Sequence, residues 1–192
     1  MTKIIPPSDY PRLHAIVAEY LPGTEAAALD KMCADNPFAM VGYYHENECH
    51  KSELIGVCYG GAGKDGDFSL DGIAIVHPHN AQGWGGELLA FFEAQVAALG
   101  YTSVSLGSAD GYVERFYLKN GYTPTELKMY VTADCDPSSA KDASLPVSYT
   151  QPEGSRLKLV FSVDNYHEID KASLCKHYNG SDAFYVFVKK LK

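Results

Sequence analysis

Three glycines fall within four positions, Gly83, Gly85 and Gly86, in the segment 73–87, IAIVHPHNAQGWGGE. An apolar run and a His-Pro step precede them, and a helix-forming stretch follows. Glycine carries no Cβ, so backbone N–H groups at such positions can approach a ligand closely. A helix that opens at Gly83 adds unpaired donors and the positive end of its dipole. The chemistry this turn supports is anion binding, above all of a phosphate or pyrophosphate. A tight strand-to-helix connection with no ligand is written in the same letters. Two common nucleotide motifs are excluded. A Walker loop requires Gly-Lys-Ser/Thr, whereas Gly86 is followed by Glu87 and Leu88. A dinucleotide fingerprint opens its βαβ unit and has an acidic residue about twenty positions on, whereas this turn follows several strands.

The elements that must hold the turn follow from hydropathy patterning. Residues 1–5 form a short edge strand ahead of Pro6-Pro7. Ser8 is placed as an N-cap, and Tyr10, Leu13, Ile16, Val17, Tyr20 and Leu21 recur at helical spacing until Pro22-Gly23. A second helix is predicted over 25–34. Strands over 38–45, 54–61 and 68–76, joined by short polar turns, make an antiparallel meander. Leu89, Phe92, Val96 and Leu99 then line one face of a helix ended by Gly100. A buried strand over 102–107 follows. A short helix carries Val113, Phe116 and Tyr117 to Asn120-Gly121, and a strand over 126–131 comes next. The β-α-β unit over 68–107 makes its strands parallel and sets the glycine turn at the carboxyl end of the first, where open α/β sheets bind ligands.

The fold class is therefore α/β in the mixed, α+β sense: a mostly antiparallel sheet with a β-α-β core and flanking helices. Residues 133–155, rich in Pro, Ser and Asp, are read as a long loop. Beyond it RLKLVFSV alternates as a strand, with Leu157, Leu159, Phe161 and Val163 on one face. HEIDKASLCKHYNG is helix-like and capped by Gly180, and FYVFVKK is a last strand. The expected organisation is one domain: a core over 1–132, the loop, and a C-terminal β-α-β extension over 156–192 completing the sheet.

Composition narrows the partners. The chain has 192 residues and a formal net charge of −8, which argues against nucleic acid or an anionic membrane; such a surface attracts a cationic substrate, but solubility alone explains it as well. No apolar stretch approaches the roughly eighteen residues of a membrane span, and the first residues lack a signal-peptide core. The five cysteines, Cys33, Cys49, Cys58, Cys135 and Cys175, are odd in number and dispersed. That pattern suits reduced thiols and a cytoplasmic location, and Cys58 reads as packing. His45, Cys49 and His50 lie close together in a polar hairpin and read as solvated turn residues, so no metal is expected.

Two blocks resemble the GNAT superfamily of N-acetyltransferases. VHPHNAQGWGGELL is similar to that family's acetyl-CoA signature, Arg/Gln-x-x-Gly-x-Gly/Ala before paired leucines, with Asn80 at the Arg/Gln place, Gly83 and Gly85 at the glycines, and Leu88-Leu89 as the pair. SADGYVERFYLKNGY is similar to its Asn-x-x-Ala-x-x-Phe-Tyr-x-x-x-Gly-Phe block, with Asp110 and Val113 at the Asn and Ala places and Phe116, Tyr117, Gly121 and Tyr122 matching. The element order over 1–131 agrees.

The resemblance implies transfer of an acetyl group from acetyl-CoA to a primary amine of a small molecule by direct attack, with no metal. Backbone N–H groups from Gln82 to Gly86, through Trp84 and Gly85, would hold the pyrophosphate beside Asn80 and Ala81. Ile75 and Val76 would bond the pantetheine arm, and Asp110 would lie near it. Tyr117 matches the family's general acid, although its helical spacing equally suits a core aromatic. Asp71 with Ser69 would orient a water that takes the amine proton, while His77 and His79 flank the phosphate turn. Trp84 is read as an apolar anchor for the helix start. Two other functions remain open: acetylation of a peptide or protein amine, and a catalytically silent acyl-CoA-binding module. A homodimer through the last apolar strand is compatible with either.

Overall fold

The computed structural model describes residues 1–46, 50–63, 66–108, 111–136, 145, 147–163, 166 and 169–192. They divide into two compact units: residues 1–105 with 190–192, and residues 106–189. The division falls inside the strand over Ser103–Ser108.

In the first unit β1 (Thr2–Ile4), β2 (Val41–Glu46), β3 (Ser52–Ala62) and β4 (Asp67–Ile75) pair antiparallel in that order. The meander expected from alternation is present. β2 begins three residues later than predicted, because Pro37, with its fixed φ and no N–H, opens a 3-10 turn over Pro37–Ala39. Ser103–Ser105, the first half of β5 (Ser103–Ser108), pairs parallel with Asp67–Ser69.

Three helices cover this sheet: α1 (Tyr10–Tyr20), α2 (Ala26–Asp35) and α3 (Trp84–Ala98). α1 buries Leu13, Ile16 and Val17, and α3 buries Leu88, Leu89, Phe92 and Val96. Each such side chain contributes about 1.5–3 kcal/mol of burial. Two details correct the pattern reading. Ser8 does not cap α1: its hydroxyl donates to Asp9 (3.2 Å), whose carboxylate accepts from the Tyr44 hydroxyl (2.6 Å), and a 3-10 turn over Pro7–Asp9 leads into the helix. Leu99 is 48% exposed, because it sits at the C-cap where Gly100 (φ +89°) turns the chain away.

In the second unit the strand order is β9 (Ser181–Lys190), β6 (Thr123–Thr132), β8 (Arg156–Ser162), β7 (Tyr149–Glu153), every pair antiparallel. β7 lies within the segment read as a loop. All five of its residues are exposed, so it shows no apolar alternation to detect, and Pro152 is tolerable only because β7 is an edge. The core is built from Leu127, Met129, Leu159, Phe161, Tyr185 and Phe187. α4 (Gly111–Lys119) carries Glu114, which is 1% exposed. Its carboxylate accepts from the Tyr166 hydroxyl (2.9 Å) and forms an ion pair with Lys171 on α5 (Lys171–Tyr178). α5 is shorter than the helix-like run. Asp170 caps it by accepting from Ser173 N–H (3.0 Å), and Asn179, with φ +51°, terminates it in place of Gly180.

Candidate functional site

The described pairing of β4 with β5 stops at Ser69. That end is fixed by Asp67, whose carboxylate accepts from the Ser103 hydroxyl (2.8 Å) and from that of Ser105. Past Ser69, the backbone of residues 70–75 has no ladder partner on that edge among the described residues. Val76 N–H donates to Ile55 C=O (2.8 Å), and Val76 C=O accepts from His79 N–H (2.9 Å). Antiparallel alternation then turns the N–H and C=O of Ile75 away from β3, onto the open edge. The expected backbone partner of an arm laid there is thus Ile75 more than Val76.

The chain leaves β4 into the glycine turn. Asn80, Ala81 and Gln82 are exposed, and Ala81 lies in the left-handed region at φ +61°, a conformation uncommon outside glycine. Gly83 (φ +87°) is the residue before α3, with nothing within 4 Å of where a Cβ would stand. The N–H groups of Gly86 and Glu87 donate back to Gly83 C=O at 3.0 and 3.4 Å. Those of Gln82, Gly83, Trp84 and Gly85 have no backbone acceptor among the described residues. The donors open to an anion are therefore these four, backed by the helix dipole.

Trp84 anchors this helix start to β2. Its indole stacks on Tyr43 (5.1 Å between centroids, 14° between planes) and lies 5.3 Å from His45 and 5.6 Å from His79. Burial, and then the Glu87 carboxylate to which it donates, push the Tyr43 phenol up. His77 is exposed, and its N–H donates to the Tyr20 hydroxyl (3.3 Å).

Asp71 is placed by a bulge. Tyr59 pairs with Gly72 but Gly60 pairs with Leu70, which leaves Asp71 as the extra residue of β4. Bulges re-aim side chains in this way next to active sites. Gly72 permits the close packing here, since a Cβ on it would stand 2.5 Å from the Tyr59 ring. The Asp71 side chain is reachable from solvent, and one oxygen accepts from the Ser69 hydroxyl at 2.6 Å. Partial desolvation raises its pKa above the usual carboxyl value, and the Ser69 bond opposes this. Tyr59 is fully buried and its hydroxyl shares a hydrogen bond with that of Thr24 (2.8 Å). Burial raises the Tyr59 phenol, Thr24 opposes the shift and the nearby Asp71 adds to it.

Tyr117 belongs to the second unit. It is 6% exposed on α4, with its ring 5.6 Å from Tyr122 and 6.1 Å from Phe187. Asp110 and Cys49 lie outside the described residues. The first unit thus brings together Asp71, Ile75, Val76 and the turn from Asn80 to Gly86, and Tyr117 lies in the second. Sequence reasoning offers Tyr59, with Tyr43 and Tyr44, as a groove wall, but missed Thr24, Asn36 and Gly61, because they come from three separate segments with no common motif. Among the described residues no three His, Cys, Asp or Glu side chains form a group fit for a metal, and no helix is long and apolar enough to cross a membrane.

No protein-family model matches the sequence, and no curated protein matches it. Solved structures do match in shape. A GNAT superfamily phosphinothricin acetyltransferase from Sinorhizobium meliloti, in complex with AcCoA, matches with a TM-score of 0.60 at 10% identity, over 100% of this chain and 88% of its own. Aminoglycoside 6′-acetyltransferase type Ii matches at 0.58 and 16% identity, over 100% and 97%. The ribosomal-protein-S18-alanine N-acetyltransferase from Escherichia coli matches at 0.53 and 10% identity, over 88% and 96%. The fold of this chain is that of the GNAT acetyltransferases.

Proposed function

We propose that the chain is an acetyl-CoA-dependent N-acetyltransferase acting on the primary amine of a small molecule. The observation that carries this reading is the open edge of β4 at Ile75, followed along the chain by four N–H groups with no backbone acceptor, those of Gln82, Gly83, Trp84 and Gly85. A pyrophosphate fits those donors and the dipole behind them, with Asn80 and Gln82 beside it, and an amide-bearing arm fits the Ile75 edge. Acetyl-CoA, when bound, supplies an activated thioester. Holding an amine against it in attack geometry lowers the barrier by up to roughly 7–11 kcal/mol. Asp71, directly or through water, takes the proton that the attacking amine must lose. As the C–N bond forms and the C–S bond breaks, Tyr117 gives its phenolic proton to the departing sulfur, the role the resemblance implies. Asp110, which the resemblance sets near the arm, would accept from an amide.

A second reading, acetylation of a peptide or protein amine, is favoured by the Escherichia coli neighbour, whose name specifies a ribosomal-protein alanine. The test is release of free thiol from acetyl-CoA with a panel of small amines, polyamines, aminoglycosides and short peptides, alongside CoA binding by calorimetry. Release with a small amine supports the proposal. CoA binding without release for any acceptor supports a silent module instead, and absence of CoA binding overturns both. Tyr117→Phe is expected to slow turnover by about 10²-fold with CoA affinity unchanged, and wild-type turnover in that variant removes Tyr117 from the chemistry.

A further inference from the structure

The surroundings of Asp71 say which amine the first unit is built to hold. Gly61, near the end of β3, faces an opening. A Cβ built there would lie 3.7 Å from the side-chain amide nitrogen of Asn36 and 3.9 Å from Asp71 Oδ2, with no other described heavy atom within 4 Å. Asp71 Oδ1 is occupied by the Ser69 hydroxyl, so the oxygen facing this opening is the other one. Asn36 is half-buried at the end of α2, its N–H bonded to Met32 C=O (2.8 Å). The segment between α1 and α2 is pinned to β3 by the Thr24–Tyr59 hydroxyl pair, which fixes one wall.

We propose that Gly61, Asn36 and Asp71 form the acceptor pocket for a compact, singly charged primary amine, whose ammonium enters between the Asp71 carboxylate and the Asn36 amide. This deepens the acetyl-transfer reading and rests on it. An ammonium has three donors and no acceptor. Asp71 Oδ2 takes one, and the Asn36 amide, turned to present its oxygen, takes a second. The missing side chain at position 61 is the space the amine fills. A short alkyl group takes the place that a side chain at position 61 would fill, and the net charge of −8 draws a cation inward.

The probes are propylamine and an unblocked tetrapeptide, read by saturation-transfer NMR with CoA present and by steady-state acetylation. Wild type is expected to prefer propylamine. Gly61→Leu is expected to raise the Kd and KM for propylamine by about tenfold or more while the KM for acetyl-CoA stays within about twofold. Gly61→Ala, whose Cβ meets its neighbours only at ordinary contact distance, is expected to raise both by less than Gly61→Leu does. Asn36→Ala gives a rise of about fivefold and carries the same test where Gly61→Leu does not fold. Unchanged propylamine binding in a folded Gly61→Leu or in Asn36→Ala overturns the pocket, as does a preference of wild type for the tetrapeptide or no propylamine binding at all. If propylamine binds, and is lost in these variants, but no acetyl is transferred, the pocket stands and the transferase reading fails.

Discussion

Asp71→Asn is expected to lower kcat, at saturating acetyl-CoA and amine, by about 10²–10⁴-fold, the range set by removing a general base. Asn keeps the shape and can still accept from the Ser69 hydroxyl, so the loss isolates the proton-accepting charge. The pH profile provides the sharper readout. Burial raises the Asp71 pKa above the ordinary carboxyl value, and only the ionised form accepts a proton. Because kcat/KM reports the unliganded protein, wild-type kcat/KM should fall as pH is lowered through that raised value, and the Asn variant should lack this limb. Stability moves the other way. With the folded pKa above the unfolded one, the native state holds the proton more tightly, and ionising Asp71 costs stability as pH rises through that window. At neutral pH the Asn variant is then at least as stable as wild type, which separates chemistry from folding. A variant within about threefold of wild-type kcat, or one that keeps the acid limb, removes Asp71 as the base.

Glu114→Ala is expected to destabilise the second unit by about 3 kcal/mol, the lower end of the range for breaking a buried pair by removing one partner. The side chain of Glu114 is 2% exposed and that of Lys171 17%. Truncation therefore removes the carboxylate that a largely buried ammonium and the Tyr166 hydroxyl both address. The lower end applies because Lys171 is not fully enclosed. Urea unfolding followed by far-UV circular dichroism measures this; Trp84 fluorescence does not, because the only tryptophan lies in the other unit. Lys171→Met in the same background should recover part of the loss. A loss below about 1 kcal/mol would show the pair to behave as a surface ion pair.

The features legible in the sequence were those written locally. The meander of β2, β3 and β4 is set by alternation, and α3 by the spacing of Leu89, Phe92 and Val96, both consequences of the periods of strand and helix. The glycine turn was legible because an absent Cβ is itself a local property, and Gly83 at φ +87° is the conformation that absence permits. Local signals also misled. Ser8 has the right chemistry for a cap, but Asp9 draws its hydroxyl. β7 has no buried face, and its strand character comes from the backbone of β8.

What only the tertiary structure decided is how shared groups are divided among competing partners. The sequence by itself determined that a glycine turn follows a strand of a mostly antiparallel sheet. It did not determine that Gly86 N–H is consumed by Gly83 C=O, that Val76 is already bonded and Ile75 open, or that a one-residue slip between β3 and β4 turns Asp71 toward Asn36 and Gly61. A period reports which face a residue occupies. Which donor is left over, and which carboxylate meets which amide, depends on the contacts between segments far apart in the chain, and those exist only after it has folded.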